Sequence, residues 1–219
     1  MIWCYLIGAA LGGFLLAHGI LEIHYFLRMC LAVCLAKCFK KKAHIMDMTS
    51  VTGLCITTDI DTLLFHMNNA RYFRELDFAK ADFYERTGLY RTIKKKGGSI
   101  FQGAATIRYR RFIKTFTRFR ITTRIVYWDE KSIFMEHKFI SPSDGFVRCV
   151  VLSRQRVVNL PVDDLMNELL GKTMKKQTPF DRLENGNAEH AKIKPSIPLE
   201  VAKWMEWNEI SSANLRTDS

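Results

Sequence analysis

Residues 59–88 read DIDTLLFHMNNARYFRELDFAKADFYERTG and carry the pattern that decides the fold. The apolar residues of one helix face repeat there at steps of four, three and four, namely Tyr72, Leu76, Ala79 and Phe83. Asn68 and Asn69 can accept hydrogen bonds from the exposed N–H groups of a first helical turn, and Gly88 suits the left-handed turn that ends a helix. The stretch predicts a helix from the two asparagines to Gly88, buried on much of its circumference.

Strand-like runs surround this helix. A short apolar run at 51–58 precedes it, and four runs rich in Phe, Tyr, Ile, Val and Thr follow at 99–113, 115–128, 132–140 and 145–159. Hairpin-type turn residues separate the later runs, so we expect the four to form an antiparallel meander. Arg110 and Arg111 interrupt the alternation and predict a bulge. The chain therefore has the order strand, long helix, four strands.

That order predicts an α+β hotdog fold, in which an antiparallel sheet wraps around a long central helix. Residues 59–72 resemble the D-x-D, H-x-N-N-x-x-Y signature of 4-hydroxybenzoyl-CoA-thioesterase-like hotdog proteins. HMNNARYFRELDFAK at 66–80, WMEWNEISSANLR at 204–216 and the apolar N-terminal segment resemble one branch of this family in particular. The resemblance covers most of the chain and implies an acyl-CoA thioester hydrolase.

Thioester hydrolysis needs a carboxylate that attacks the carbonyl or activates water, and N–H donors for the developing oxyanion. The first turn of the helix after Asn68 supplies such donors, and Asp59 and Asp61 lie a few residues before it. The resemblance implies Asp61 as base or nucleophile, with Asp59 as the second catalytic candidate. It also implies substrate-binding positions at His66, Asn68, Asn69 and Tyr72, of which Asn68 caps the helix.

Other interpretations of these residues stay open. Asp59 and Asp61 can be turn residues that accept local backbone hydrogen bonds. The step from Asp61 to His66 is five residues, one more than is usual in the family, and Phe65 precedes the histidine. A longer loop can turn the carboxylate away from the helix. The alternative function is then a non-catalytic acyl-CoA-binding or lipid-binding scaffold that keeps the hotdog fold.

The N-terminal segment is strongly apolar. Residues 2–20 contain no Asp, Glu, Lys or Arg, and about 20 apolar residues span a bilayer as a helix, so we expect a transmembrane helix followed by a juxtamembrane helix. The basic residues come after the span, which favours a membrane-anchored protein of the endoplasmic reticulum with its domain facing the cytosol. The alternative is a cleaved signal peptide and a secreted product. Cys30, Cys34 and Cys38 share one helix face beside a basic run, as palmitoylation sites or as apolar filler.

The pattern divides the 219 residues into an anchor with a juxtamembrane helix at 1–42, a hotdog domain at 43–160 and a C-terminal helical extension at 161–219. The formal net charge of +11 indicates anionic partners. We expect acyl-CoA or a related thioester and membrane lipid as partners, and no nucleic acid. The resemblance implies a homodimer, and no cofactor is expected. No metal site is predicted, because no pair of Cys or His completes four ligands at the usual spacing.

Overall fold

The computed structural model describes residues 1–20, 22–63, 65–174 and 194–217. These residues form two compact units, Met1–Lys41 and Lys42–Ser219. The predicted boundaries at 42 and 160 are not tested by this division and stay predictions. Residues 175–193, within the predicted C-terminal extension, lie outside the described residues.

The first unit contains two helices, α1 (Ile2–Ile20) and α2 (Ile23–Cys38). Glu22 lies between them in the left-handed region, with φ 39° and ψ 41°, so the apolar stretch does not continue as one helix. In the described part of the chain no helix combines the length and the apolar character needed to cross a bilayer. The predicted transmembrane helix is therefore not found.

The second unit is built on a five-stranded antiparallel sheet in the order β1-β3-β4-β5-β2. Its strands are β1 (Thr49–Leu54), β2 (Ser99–Tyr109), β3 (Arg118–Trp128), β4 (Ser132–Ile140) and β5 (Val147–Val158). The predicted four-strand meander is wrong for β2, which pairs with β5 rather than β3. Residues 110–117 form too long a link for a tight hairpin, so the chain passes from one edge of the sheet back to β3. This order, with the helix described next, is the predicted hotdog fold.

The central helix α3 (Asn69–Thr87) begins and ends at the predicted residues. The Asn68 side chain accepts a hydrogen bond from the Ala70 N–H at 2.9 Å, and Gly88 takes the left-handed conformation at φ 75°. From Arg71 to Thr87 every side chain is buried or half-buried, which confirms the expected burial. A short helix, α4 (Leu89–Lys95), follows at once and was not predicted.

Two apolar clusters hold α3 against the sheet. The amino-end cluster consists of Cys55, Met67, Tyr72, Leu76, Ala79, Ile113, Phe119, Ile121, Phe139, Cys149 and Val151. The carboxyl-end cluster is centred on Phe83 and consists otherwise of Ile45, Leu89, Ile93, Ile125, Trp128, Ile133, Met135, Val157, Val162, Leu165, Met166, Leu169 and Leu170. The second cluster includes α5 (Val162–Met174), whose apolar face covers this end of the sheet.

A polar seam separates the two clusters. On β3 and β4 one buried polar residue, Thr123 or His137, lies between apolar residues of the two clusters. On β5 two buried polar residues, Ser153 and Gln155, lie between Val151 of the amino-end cluster and Val157 of the carboxyl-end cluster. The His137 ring contacts the Thr123 hydroxyl through Nδ1 and the Ser153 hydroxyl through Nε2, each at 3.0 Å. Burial, with Lys80 nearby, lowers the pKa of His137 to about 3, so the imidazole is neutral.

The last helix, α6 (Leu199–Thr217), packs on the other face of the sheet, where Trp204 lies edge-on to Phe134 with ring centroids 6.2 Å apart. The bulge expected at Arg110 and Arg111 is not there, because β2 has ended at Tyr109. The register of the β2–β5 pair shifts instead between Gln102 and Ala104. The first predicted strand is also shorter, because residues 57–59 turn away as a 3-10 helix.

Candidate active site

The loop before α3 is held as a narrow antiparallel turn. Ile60 bridges Met67, and the Asp61 N–H donates to the His66 carbonyl at 2.9 Å. The Asn68 N–H donates to the Asp59 carbonyl at 2.8 Å, which closes the turn at the start of the helix. The predicted site residues Asp59, Asp61, His66 and Asn68 are therefore brought together within one short turn.

Asp59 is occupied by local structure. One carboxylate oxygen accepts a hydrogen bond from the Ile56 N–H at 3.0 Å, and the other lies 4.0 Å from the Arg71 Nε. The residue is 5% exposed. This matches the turn-residue interpretation of Asp59, since its carboxylate stabilises the 3-10 turn that leads into the site.

Asp61 differs from Asp59 in one decisive respect. Its Oδ1 is buried and has no hydrogen-bond partner among the described residues. Its Oδ2 lies 3.3 Å from Nε2 of His66, and the side chain is 16% exposed. A buried acceptor without a partner is costly to a fold, so its presence indicates a group kept for a ligand, a water molecule or a reaction.

His66 holds the other oxygen of this carboxylate. Its Nδ1 lies 3.0 Å from the Met67 carbonyl oxygen, and because a carbonyl has no proton to give, Nδ1 carries the proton of that bond. Nε2 lies 3.3 Å from Asp61 Oδ2. The imidazole is therefore placed between a backbone carbonyl and the Asp61 carboxyl group.

Aromatic rings fix the position of His66. The Phe112 ring stacks on the imidazole at a centroid distance of 4.1 Å and an interplanar angle of 1°, and Phe65 meets it edge-on at 4.5 Å. Phe112 is 60% exposed and Phe65 is 47% exposed. The two rings therefore leave an apolar surface open beside the Asp61–His66 pair.

The first turn of α3 supplies fewer free donors than the sequence suggests. The Ala70 N–H is taken by the Asn68 side chain, and the Arg71 N–H donates to the Asn68 carbonyl at 2.9 Å. The Asn69 N–H has no such partner in the described ranges, which makes it the candidate donor for an oxyanion. The Asn69 side chain is exposed, and the backbone carbonyl of Asn69 accepts a hydrogen bond from the Tyr109 hydroxyl at 3.0 Å.

Tyr72 lies behind this turn rather than on its surface. It is 2% exposed and packs edge-on against the rings of Tyr109, at 5.1 Å, and Phe139, at 4.9 Å. Burial raises the pKa of the Tyr72 hydroxyl well above its ordinary value. Its position in the amino-end cluster supports the site from inside, and the substrate-binding role of Tyr72 stays a prediction.

Sequence reasoning missed two residues that complete the site, Tyr109 and Phe112. Tyr109 is the last residue of β2, and Phe112 lies in the link that follows. Long-range pairing brings this part of the chain to the start of α3: the Met67 N–H donates to the Ile113 carbonyl at 2.8 Å, and His66 bridges Lys114. The interruption of alternation at Arg110 and Arg111 was the available signal that the chain leaves the strand there. If this interruption is interpreted as the end of a strand rather than as a bulge, Phe112 is predicted to lie in a loop, where it can contact the site.

A separate open pocket lies at the far end of β5, among Arg156, Asn159, Pro161 and Asp163. Asp163 is already engaged there by the Trp128 indole N–H at 3.0 Å and by Lys194 at 3.1 Å. The pocket contains none of the predicted site residues.

The model of the thioesterase-like superfamily matches residues 55–204, which include the turn, the central helix and the whole sheet after β1. The chain belongs to the thioesterase-like superfamily. Two relatives identify the branch that the sequence resembles as THEM6, thioesterase superfamily member 6. Protein THEM6 of Drosophila melanogaster is 39% identical over 204 residues, which are 93% of this chain and 96% of that protein. Protein THEM6 of Xenopus laevis is 32% identical over 210 residues, which are 96% of this chain and 92% of that protein.

A solved structure supports the fold. The probable thioesterase YbaW of Escherichia coli superposes with a TM-score of 0.52 at 20% sequence identity, over 55% of this chain and 95% of the bacterial one. At that identity the likeness shows the hotdog fold, and the chemistry must be argued from this chain's own residues.

Proposed function

We propose that this protein is an acyl-CoA thioester hydrolase in which Asp61 acts as base or nucleophile. The observation that carries the proposal is the buried Asp61 Oδ1, which lacks a partner in the described part of the chain while Oδ2 is held by His66. Family membership and the thioesterase-type names of the relatives support the reaction class.

In the proposed reaction the thioester carbonyl lies between Asp61 and the Asn69 N–H. Asp61 Oδ1 takes a proton from water while the water oxygen attacks the carbonyl carbon, or Oδ1 attacks the carbon itself and water then hydrolyses the anhydride. The Asn69 N–H donates to the oxyanion that forms. In the first route the carbon–sulfur bond breaks as the tetrahedral intermediate collapses to the free acid, and the proton held by Asp61 passes to the thiolate of coenzyme A. In the second route the carbon–sulfur bond breaks when the anhydride forms, and the water that hydrolyses the anhydride supplies the proton that the thiolate takes up.

The surface around Asp61 suits an acyl chain derived from lipid. Four exposed apolar side chains surround the turn and the link after β2: Leu63, Phe65, Phe112 and Phe116. Apolar surface of this kind gains free energy when it covers a hydrocarbon chain. The proposed substrates are therefore long-chain rather than short-chain acyl-CoA.

The test is the release of free thiol from acyl-CoAs of several chain lengths by the full chain and by Asp61→Asn. We expect Asp61→Asn to lower kcat by about 100-fold or more, since the base is lost, without loss of stability. The matched control is Asp77→Asn, which removes a carboxylate that is paired with Lys80 on α3. Turnover that Asp61→Asn leaves unchanged contradicts the proposal, and binding of acyl-CoA without turnover identifies the protein as the alternative, a non-catalytic scaffold.

We also propose that the protein works at the cytosolic face of the endoplasmic-reticulum membrane. The support is the α1 surface, where large apolar side chains such as Trp3, Leu6 and Ile7 are more than half exposed, and the basic residues that follow in Lys37 and Lys40–Lys42. Fractionation of cells and protease digestion of a C-terminal tag in sealed microsomes test this. Protection of the tag without detergent contradicts cytosolic exposure, and a shortened secreted product supports the signal-peptide alternative.

A homodimer is proposed on the strength of family membership. β1 and β2 are the edge strands of the sheet, and β2, with 11 residues, is the longer. A long open edge favours pairing with another strand, so two copies can join their sheets there. Light scattering at several concentrations checks this, and a monomer at every concentration contradicts it.

A further inference from the structure

Three arginine side chains surround one aromatic ring at the end of the sheet that carries Asp61. The guanidinium carbons of Arg111, Arg110 and Arg148 lie 4.1, 4.7 and 5.6 Å from the centre of the Phe146 ring. Phe146 is in the turn between β4 and β5, whereas Arg110 and Arg111 follow β2. Residues from three strand ends therefore converge, and we name this group the arginine cluster.

The positive charge of the arginine cluster is only partly balanced. Arg148 pairs with Asp144 at 2.7 Å, and Arg110 donates to the Val147 carbonyl at 3.2 Å. Arg111 pairs with no carboxylate among the residues that the structure describes, and its side chain is exposed. Like charges held this close repel each other. Three guanidinium groups beside one carboxylate leave a net positive charge, which favours the binding of an anion.

The ring also organises the donors. A guanidinium group stacked on an aromatic face keeps its plane fixed and its N–H groups directed outward, which reduces the entropy lost when an anion binds. Arginine recognises phosphate with two parallel N–H donors. The arginine cluster therefore has the composition and the rigidity of a phosphate site rather than those of a solvated strand face.

The chain ties this cluster directly to Asp61. Arg110 and Arg111 stand between two residues of the candidate active site: Tyr109, which donates to the Asn69 carbonyl, and Phe112, which stacks on His66. Successive Cα atoms are about 3.8 Å apart, so the backbone of Arg111 is adjacent to that of Phe112. A ligand whose reactive end lies at Asp61 and whose phosphates lie some distance along a flexible arm can reach both.

We propose that the arginine cluster binds the phosphate groups of the coenzyme A portion of the substrate, with Arg111 as the principal contact. The proposal rests on the thioesterase function proposed above, and it adds where the nucleotide end lies. Arg111 and Arg148 are substrate-binding residues in this proposal and have no part in bond breaking.

The test measures binding and turnover separately, with the full chain. Binding of free coenzyme A and of pantetheine, which lacks the nucleotide, is measured by calorimetry for the wild type and Arg111→Gln. The double variant Arg111→Gln/Arg148→Gln extends the series, and the single variant keeps the Asp144 pair in case the double variant folds poorly. The control is Arg91→Gln/Lys94→Gln, which removes the same charge on α4, beyond the other end of α3.

We expect Arg111→Gln to weaken coenzyme A binding by about 10-fold and to leave pantetheine binding unchanged, since the variant loses a charged hydrogen bond to a phosphate that pantetheine lacks. KM for acyl-CoA rises by the same factor at constant kcat, while acyl-N-acetylcysteamine thioesters show no change. Equal coenzyme A affinity in wild type and Arg111→Gln overturns the proposal. The two proposals can fail separately. If Arg111→Gln loses coenzyme A binding while Asp61→Asn keeps full activity, the catalytic role of Asp61 is contradicted and the phosphate site is supported.

Lipid headgroups carry phosphate too, and a second arm separates the two sources. Sedimentation with vesicles of phosphatidylcholine, with and without phosphatidylserine, is measured for the same variants. The proposal expects coenzyme A to show the Arg111 dependence. A dependence seen only with the anionic vesicles overturns the assignment to coenzyme A.

Discussion

The two ends of the central helix are built for different purposes. At the carboxyl end of α3, Phe83 is fully buried in the larger apolar cluster, and α4 and α5 close over it. At the amino end, Asp61 keeps a buried oxygen without a partner within the described ranges, and Phe112 stacks on His66 with more than half of its surface exposed. The difference indicates that the carboxyl end serves stability, and it supports the proposal that the reaction takes place at the amino end, since an unsatisfied group persists only where the rest of the fold supports it.

The largest effect should come from emptying the carboxyl-end cluster. Phe83→Ala removes a ring that is 0% exposed and should lower the free energy of unfolding by about 3–5 kcal/mol, because the cavity adds to the lost burial. Phe112→Ala, the matched change at the amino end, should cost less than about 1 kcal/mol since that ring is largely in solvent. Urea unfolding of both variants checks this. Equal losses would show that the two ends do not differ in this way.

Acid should act on the polar seam between the two ends. Burial lowers the pKa of His137 from 6.5 to about 3, so the unfolded chain takes up a proton that the folded one refuses. The contribution of neutral His137 is present above about pH 6.5 and falls as the pH approaches 3, with about 3 kcal/mol lost by pH 4. Unfolding at about pH 7 and pH 4 should therefore show a smaller acid loss in His137→Gln than in the wild type. The same acid loss in both would contradict the role of His137.

Removing His66 should separate positioning from folding at the amino end. Without the imidazole, Asp61 Oδ2 loses its partner, and a carboxylate displaced by about 1 Å costs up to about 100-fold in rate. We expect His66→Ala to lower kcat by about 10-fold to 100-fold and to change KM little. Steady-state kinetics measures this, and an unchanged kcat would argue against the pair.

The smallest expected effect comes from Asp59. Asp59→Ala leaves the Ile56 N–H without its acceptor and should lower the free energy of unfolding by about 1–2 kcal/mol. The activity of each folded molecule should stay within about twofold, since the Asp59 carboxylate is engaged in the turn. Thermal unfolding and kinetics on the same preparation make the comparison with Asp61→Asn. A catalytic loss as large as that of Asp61→Asn would place Asp59 in the reaction.

The central helix could be predicted from the sequence because its determinants are local. The asparagine cap, the apolar repeat and Gly88 all lie within the helix or beside it, and α3 begins and ends where they indicate. The position of β2 could not be predicted, since β2 pairs with β5, which follows about 40 residues later, rather than with β3, the next strand along the chain. The helix at 2–20 was likewise predicted from a local apolar run and has the expected bounds, but no helix in the described ranges has the length and apolar character of a membrane span.

In the candidate site, too, features set by local sequence could be predicted and features set by long-range contacts could not. The motif placed Asp59, Asp61 and His66 in one turn, but their chemical difference depends on which oxygen each neighbour occupies. Phe112 reaches His66 only because the link at 110–117 folds back under the helix start. The residue types of the motif were therefore enough to predict that these side chains meet in one turn, whereas the roles proposed for them depend on the contacts.

Neutral His137 and its two hydroxyl neighbours also separate the packing of the amino-end cluster from that of the carboxyl-end cluster. Apolar side chains on either side of such a row share few contacts, and effects of substitutions that share no partners add. Side chains of the amino-end cluster can thus be substituted to fit a wider or narrower acyl group without lowering the stability that the packing around Phe83 contributes. A double-mutant cycle across the row, from Leu76 to Met135, should return a coupling free energy near zero.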